Sequence, residues 1–513
     1  MGLDFNRYKN SSLSSLSSSR RDDVSQLTIK TPRYPHCPAV VETTFKVKNN
    51  GYARYTLDIF QGLQFNEAIT KKQLHTYYPR VSNFKTSDEI RISIQHQDVY
   101  TLPSESFIYI EGKFKHDAAG TGTCELTKQL HTYYPRVSNF KTSDEIRISI
   151  QHQDVYTLPS ESFIYIEGKF KHDAAGTGTC ELTNNAYAFL FDQIRYEING
   201  VEVDRCTKPG ITSSIKGYIY GDNETKFLEM AGWCPNSKTQ PTISLNNKFN
   251  AYIPLKFFLG FAEDYKKIII NASQELILLR SGNDLNCYHN TNTGGTKVAS
   301  FDIDKIEWHV PHINVNDEIR LKLLKTLNSN KSIYMPFRKW ELFELPSLRK
   351  TKTDVWPIKT STNLEKPRYV IVTFQTARKD SLTADASKFD HASLTNLKLH
   401  LNADSFPYDN MNLQINENKY AAAYRNRMYA SFQSSYYNGN NQPLLSYEKF
   451  KECALYVIDC ANQKEAVKSS IVDVKLELES LSGFTEDTTA YCLIIHDNIV
   501  EYTPLSGTVK KII

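Results

Sequence analysis

The stretch Ile194-Arg-Tyr-Glu-Ile-Asn-Gly-Val-Glu-Val-Asp204 carries the clearest local instruction in the chain. Asn199-Gly200 lies between two runs of alternating apolar and polar residues, and these two residue types tolerate the positive φ that both central positions of a type I′ turn require. The reading is a tight hairpin with Asn199 and Gly200 as its structural turn. Counting outward sets Ile198 against Val201 and Tyr196 against Val203 on an inner face, with Arg195 opposite Asp204 outside. The same count opposes Glu197 to Glu202, a like-charged pair that calls for a neighbouring cation.

Outward from the hairpin, strand signals dominate. DEIRISIQ (88–95) puts Ile90, Ile92 and Ile94 on one face, and SFIYIEGKF (106–114) follows the breaker Pro103. Further strands are expected in 249–258, 264–279 and 301–313, separated by loops such as SGNDLNCYHNTNTGGT (281–296). Asn316 then caps a helical pattern, DEIRLKLLKTL, with acidic residues in its first turn and Lys325 near its end, as the helix dipole favours. A second strand series occupies 339–346, 367–376, 396–402, 470–480 and 490–502. Within 470–480, Val472, Val474, Leu476 and Leu478 alternate with charged residues, so one face is buried and one is wet. One further helix, KYAAAYRNRMYASF, carries Tyr420, Tyr424 and Met428 on a stripe that reads as packing.

Many short strands, few helices and no βαβ alternation define an all-β chain, and its 513 residues exceed what one core supports. The expected fold is two jelly-roll β-sandwich domains in tandem, a double jelly roll with a few short helices. Residues 1–35, with SSLSSLSSSRRDD, read as a flexible Ser-rich arm, 36–313 as the first jelly roll, 314–330 as a helical connector and 331–513 as the second jelly roll. Residues 72–127 recur without a change as 128–183. Identity this complete marks a recent tandem duplication or an error in assembling the gene, since structural repeats drift. A jelly roll has one slot for each strand, so only one copy is expected to pack in the core, with the other extruded or poorly packed.

Composition narrows the function. The 61 basic and 57 acidic residues leave a formal charge of +4, too little to hold nucleic acid by counterion release, so no specific nucleic-acid site is expected. The nine cysteines form no CxxC pair, which argues against a zinc site or disulfide framework and for a reducing, intracellular setting. No apolar run approaches the ~18 residues that cross a bilayer, the N-terminus lacks an apolar signal core, and Met-Gly-Leu-Asp-Phe-Asn departs from the myristoylation pattern. The sequons at Asn223, Asn271 and Asn330 and the terminal Lys-Lys-Ile-Ile therefore carry little weight.

Catalytic templates fail in turn. GTGT at Gly120 lacks the Lys-Ser/Thr of a phosphate loop, and Gly294-Gly295-Thr-Lys297 lacks its glycine spacing. His309 and His312 are separated by Pro311 and have no third ligand nearby. Asp302 and Asp304 read as a solvated strand face, and Cys453 and Cys460 as buried apolar residues. Arg20-Arg21 and Lys266-Lys267 are short surface charge runs, while SFPYDN and SSYYNGNNQ mix Tyr with Asn and Gly as contact loops do. No catalytic, cofactor-binding or metal residue is assigned, and the chain is not read as an enzyme.

Five runs carry a resemblance: SDEIRISIQHQDVYTLPSESFIYIEGKF (87–114), NNAYAFLFDQIRYEINGVEVDR (184–205), KPGITSSIKGY (208–218), PRYVIVTFQT (367–376) and AYCLIIHDNIVEYTPLSGTVKKI (490–512). From about residue 85 onward the chain resembles the hexon-like double jelly-roll major capsid proteins of adintovirus- and Polinton-type elements, often found integrated in arthropod genomes. The resemblance implies a homotrimer forming a pseudo-hexagonal capsomer, neighbouring capsomers and minor or penton capsid proteins as partners, and an icosahedral shell around double-stranded DNA. Localisation would be the virion, with assembly in the host nucleus or cytoplasm. The duplication departs from that family. The competing reading is a β-sandwich binding module, lectin-like or protein-interacting, domesticated by a host. A metal enzyme of cupin type would need a His and carboxylate cluster that the 13 His residues do not form in sequence.

Overall fold

The computed structural model describes the backbone of residues 24–28 and 44–48, and residues 127–512 except 152–154, 174, 220–225, 236–241, 244–246, 293, 316, 330, 359–366, 403, 433–445 and 461–472. Two compact units divide the chain. In the smaller, β1 (Val24–Thr28) pairs antiparallel with β2 (Thr44–Lys48), so the segment expected as an arm contains a strand. The rest of that arm, and the first repeat copy up to residue 126 with Ile90, Ile92 and Ile94, lie outside the described residues.

The larger unit contains two sandwiches. The first is built from β3 (Thr127–Tyr133), β4 (Glu145–Ile150), β5 (Phe163–His172), β6 (Cys180–Leu182), β7 (Phe191–Ile198), β8 (Val201–Thr207), β9 (Lys248–Pro254), β10 (Gln274–Arg280), β11 (Tyr288–Asn290) and β12 (Ala299–Asn314). Its sheets run β3-β12-β5-β9 and β4-β10-β7-β8, with β6 and β11 as a separate ribbon. The second comprises β13 (Ile333–Leu345), β14 (Thr353–Ile358), β15 (Pro367–Thr376), β16 (Leu394–Leu401), β17 (Asp404–Phe406), β18 (Tyr456–Asp459), β19 (Val474–Ser480), β20 (Thr488–Thr503) and β21 (Thr508–Ile512). Its sheets run β13-β20-β15-β18, with β21 added to β20, and β14-β19-β16-β17. Numbering the eight principal strands of each sandwich in chain order gives the same pair of sheets twice, 1-8-3-6 facing 2-7-4-5. That order is the jelly roll, so the two-fold repetition of topology holds although the two sequences share no visible motif.

Burial explains the two strand patterns. In β4 and β19 buried residues alternate with wetter ones, as a one-sided sheet requires. In β15 and β20 the burial is nearly continuous. Val370, Val372 and Phe374 face the core of their own sandwich, while Ile371, Tyr491, Leu493 and Ile495 join the core of the first. The β13-β20-β15-β18 sheet is thus covered on both faces, and its apolar runs follow from that.

Among the described residues, five α-helices connect or cap the sandwiches: α1 (Ala186–Phe189), α2 (Pro209–Ile219), α3 (Gly260–Asp264), α4 (Asp317–Asn328) and α5 (Ala421–Phe432). α4 is the helix read from DEIRLKLLKTL, with Lys325 in its last turn. Its cap Asn316 and the side chain of Met428 lie outside the described residues, whereas Tyr420 is buried and stacks on Phe450 at 5.5 Å.

Two expectations are corrected. The hairpin keeps Ile198 against Val201 and Glu197 against Glu202, but a β-bulge then shifts the register, so that Tyr196 faces Asp204 and Arg195 faces Arg205. Asp204 is consequently buried instead of lying outside. In 264–279 only Gln274–Arg280 is a named strand, because α3 ends at Asp264 and the apolar Ile268–Ile270 run packs as a buried connection. The strand expected over 301–313 is β12, which runs through Pro311; that residue sits opposite Leu130 beyond the pairing with β5, which stops at His309, so the missing N–H costs no bond to β5.

Candidate functional site

The most constructed region is the seam between the sandwiches. At its centre, α3 lies against β13. Gly260 approaches so closely that a Cβ there would fall 1.8 Å from the Arg338 carbonyl oxygen. Asp264 ends α3, and its Oδ2 accepts from the Arg338 backbone N–H at 2.8 Å and from Nε at 2.6 Å, while Nη2 of the same guanidinium donates to Oδ1. At the start of α3, the Phe261 N–H donates to Oδ2 of Asp204 at 3.0 Å, so the residue after the bulge of the hairpin satisfies a helix terminus. Burial raises the Asp204 carboxyl, and that N–H partly offsets the rise.

Beside it, Lys216 of α2 is fully buried. Its ammonium donates to the Lys256 carbonyl at 2.8 Å, pairs with Glu263 at 2.6 Å and lies 4.9 Å from the centre of the Trp340 ring in the second sandwich. Farther along, the Tyr502 hydroxyl donates to the carbonyls of Ile270 (2.9 Å) and Asn271 (2.6 Å), and Asn271 Nδ2 donates to Pro504 at 2.6 Å. The Asn271 sequon is therefore part of the seam.

Asn199 and Gly200 have φ of 49° and 76°. Asn199 also has a second task. Its Nδ2 donates to the Gly507 carbonyl at 2.8 Å, in the turn between β20 and β21, and its Oδ1 accepts from Ser273 N–H at 2.8 Å. The cations beside the Glu197 and Glu202 pair are Arg205, whose Nε donates to Glu202 at 2.9 Å, Lys511 at 3.6 Å from Glu202, and Arg147, whose charge interacts with Glu197.

The residues weighed for chemistry are dispersed. His309 bonds Glu307 at 2.9 Å. Burial raises the Glu307 carboxyl, but hydrogen bonds from Lys305 and His309 outweigh it and hold the group below the usual range. His312 stacks on His131 at 3.8 Å and bonds the Tyr133 hydroxyl at 2.7 Å, beside an open groove of ≈ 440 Å³. Asp302 pairs with Lys171 at 2.7 Å on a wet face. The glycine loops, read through the second copy, pack on each other: Thr296 N–H donates to the Thr177 carbonyl at 3.0 Å. Cys453 and Cys460 are buried, and the seven described cysteines are unbridged. Among the described residues, no group of three or more His, Cys, Asp or Glu could hold a metal ion, and no helix is long and apolar enough to cross a membrane.

An aromatic strip crosses the outer face of β9, β5 and β12. Tyr252 lies 4.7 Å from Tyr165 and 6.3 Å from Phe163, which meets Phe227 at 6.2 Å. Tyr252 and Phe227 are exposed, and Lys256 and Lys305 sit over the Phe227 and Tyr165 rings. Residue patterning gave no sign of this strip or of the seam pairs.

Two jelly rolls of one strand order, joined through a buried polar and apolar seam, make this a double jelly roll protein. The family model described as the double jelly roll-like domain matches residues 180–500, and the chain belongs to that family. Among solved structures it is similar to a chain of the Sputnik virophage cryo-EM structure (10% identity, 80% of this chain and 94% of that one, TM-score 0.48). It is also similar to the Faustovirus major capsid protein (9% identity, 77% and 93%, TM-score 0.48) and the mavirus major capsid protein (12% identity, 84% and 97%, TM-score 0.46). No curated protein sequence matches the chain.

Proposed function

We propose that this chain is a structural major capsid protein, acting without catalysis. Three copies form a pseudo-hexagonal capsomer, and capsomers tile an icosahedral shell around double-stranded DNA, in an element of adintovirus or Polinton type able to reside in a host genome. The observation that carries this reading is the seam. It holds two sandwiches of equal strand order as one body, so a three-fold arrangement presents six similar lobes. The five sequence runs that resemble hexon-like capsid proteins support the same assignment, and membership of the double jelly roll-like family agrees with it.

In this reading 36–313 and 331–513 are the wall-forming domains, 314–330 joins them and 1–35 is an arm. The exposed Tyr252 and Phe227 offer the aromatic contact area that subunit interfaces favour. Partners are two further copies, neighbouring capsomers and minor or penton capsid proteins. The protein resides in the virion after assembly in the host nucleus or cytoplasm.

The test is light scattering coupled to size-exclusion chromatography, with negative-stain imaging, on the full chain and on a chain one repeat shorter. Trimers of hexagonal outline are the expected result. Appearance of trimers only in the shorter chain would locate the obstacle in the duplication. A well-folded monomer in both would overturn the proposal in favour of a binding module.

A further inference from the structure

The second repeat copy, 128–183, supplies β4, β5, β6 and all but the first residue of β3. It buries Ile146, Ile148 and Ile150 from β4 and Ile164, Ile166 and Phe170 from β5. The first copy carries the same side chains 56 positions earlier, at Ile90, Ile92, Ile94, Ile108, Ile110 and Phe114. Apart from Thr127, whose counterpart is Lys71, every side chain these strands place in the sandwich is therefore available from either copy. Only the place where the surplus segment leaves the sandwich would differ.

With the second copy in place, the surplus enters ahead of β3, where Lys128, Gln129 and Leu130 are exposed. With the first copy wholly in place, it would leave between Thr183 and Asn184. Both positions are buried, and Asn184 Oδ1 accepts the Cys234 N–H at 2.7 Å, so that exit is blocked. Between these extremes lie exits that cost little. Tyr134 and 136–139, between β3 and β4, are exposed, and so are Asp173, 175–177 and Thr179, between β5 and β6. Lengthening an exposed loop costs little because closure entropy grows only logarithmically with length.

We propose that the two copies are interchangeable donors of β3, β4 and β5. The sandwich then exists as isomers that share one core and differ in the exposed loop from which the surplus residues emerge. The ground state has the surplus ahead of β3. An isomer with the first copy supplying three strands and the surplus in the β5–β6 loop stands in reserve, so damage to the second copy is repaired by the first.

Deletion cannot test this, since removing 72–127 or 128–183 yields the same polypeptide. Point substitutions can. Ile148 is fully buried in β4, and an aspartate there would place an unpaired carboxylate in the core. Thermal unfolding followed by near-UV circular dichroism should show Ile92→Asp melting as the parent does. Ile148→Asp should keep one cooperative transition, shifted down by a few degrees. The double variant, and the one-copy chain carrying the equivalent change, should lose the transition. Loss of the transition in Ile148→Asp alone would overturn exchange, since the first copy would then have failed to replace the second. An equal effect of Ile92→Asp, or a cooperative transition in the double variant, would overturn it too.

Discussion

The two sandwiches share a strand order but are specified differently inside. Among the described residues, the first buries Asp204, Lys216, Arg280, Asp284 and Glu307, whereas the second buries one fully charged residue, Asp354. Arg280 shows the style of the first: its guanidinium donates to the Leu190 carbonyl at 2.6 Å and to Asp284 at 2.9 Å, and Asp284 in turn accepts the Phe301 N–H at 3.0 Å. The second relies on Leu476, Leu478, Leu397 and Leu399 packed between its sheets. Buried ion pairs add little net stability over apolar packing, but they fix geometry, because each partner is costly to leave alone. Two of those charges, Asp204 and Lys216, sit where the first sandwich meets the second, so part of the contrast separates what makes a jelly roll from what joins two.

The sharpest way to break that contrast is to compare Asp264→Ala with Leu476→Ala. The first strands the Arg338 guanidinium in a seam where both side chains are mostly buried, a loss of about 3–5 kcal/mol. The second leaves a cavity costing about 2–5 kcal/mol. Calorimetry should show Asp264→Ala splitting one transition into two as the sandwiches uncouple, and Leu476→Ala lowering the transition of its own sandwich without that split. Equal behaviour of the two variants would mean that the seam contributes no coupling.

How legible these features were in the sequence follows the same division. In the second sandwich β13, β15, β16, β19 and β20 were legible, since Val474, Leu476 and Leu478 alternate and β15 and β20 are rich in β-branched and aromatic residues, whereas the short β14, β17, β18 and β21 were not. That one face of those two strands is covered by another sandwich leaves no mark except a continuous apolar run. The hairpin turn was legible at Asn199-Gly200, but its register was not beyond Glu202. The bulge there serves Asp204, which must turn inward to meet the Phe261 N–H, 57 residues away. α2 was missed because Gly210, Thr212, Ser213 and Ser214 are poor helix formers; Pro209 at its start and burial on every side hold it instead. Asp264 and Arg338 stand 74 residues apart, and no spacing rule pairs them.

A second break acts through pH on the seam-side sheet of the second sandwich. Burial alone would raise Glu341, but His496, 3.5 Å away, and the Lys339 ammonium that donates to it outweigh burial and bring the carboxyl to about 2. Its folded value lies below the ~4.3 of an unfolded glutamate, so its contribution is complete above that pH and is lost as pH falls through about 2, up to roughly 3 kcal/mol. Denaturant titrations between pH 5 and 2 should show this loss. Glu341→Gln should flatten the decline in that window, and an unchanged slope would assign the acid sensitivity elsewhere.

Gly260→Ala sharpens the contrast by adding a methyl group where backbone meets backbone. Overpacking of this kind costs about 1–3 kcal/mol, and the Arg338 carbonyl cannot rotate away as a side chain would. The variant should resemble Asp264→Ala in splitting the transition, with a smaller shift. Gly200→Ala, where a Cβ meets nothing within 4 Å but φ is 76°, should strain only the hairpin and leave the coupling of the sandwiches intact.

The smallest effect is expected where the second sandwich faces solvent. His400 and Glu477 lie opposite each other's neighbours on β16 and β19, 2.9 Å apart and each about a third exposed. Water screens such a pair and holding two side chains together costs entropy, so His400→Ala should change stability by less than about 1 kcal/mol. It should do so with the same single transition as the parent protein. The comparison with Asp264→Ala then sets a solvent-washed contact against a buried one, because both substitutions delete one member of a side-chain pair reaching between neighbouring elements. A His400→Ala loss as large as that of Asp264→Ala would mean that the outer sheet is covered by something in the folded protein, and the assignment of this face to solvent would fail.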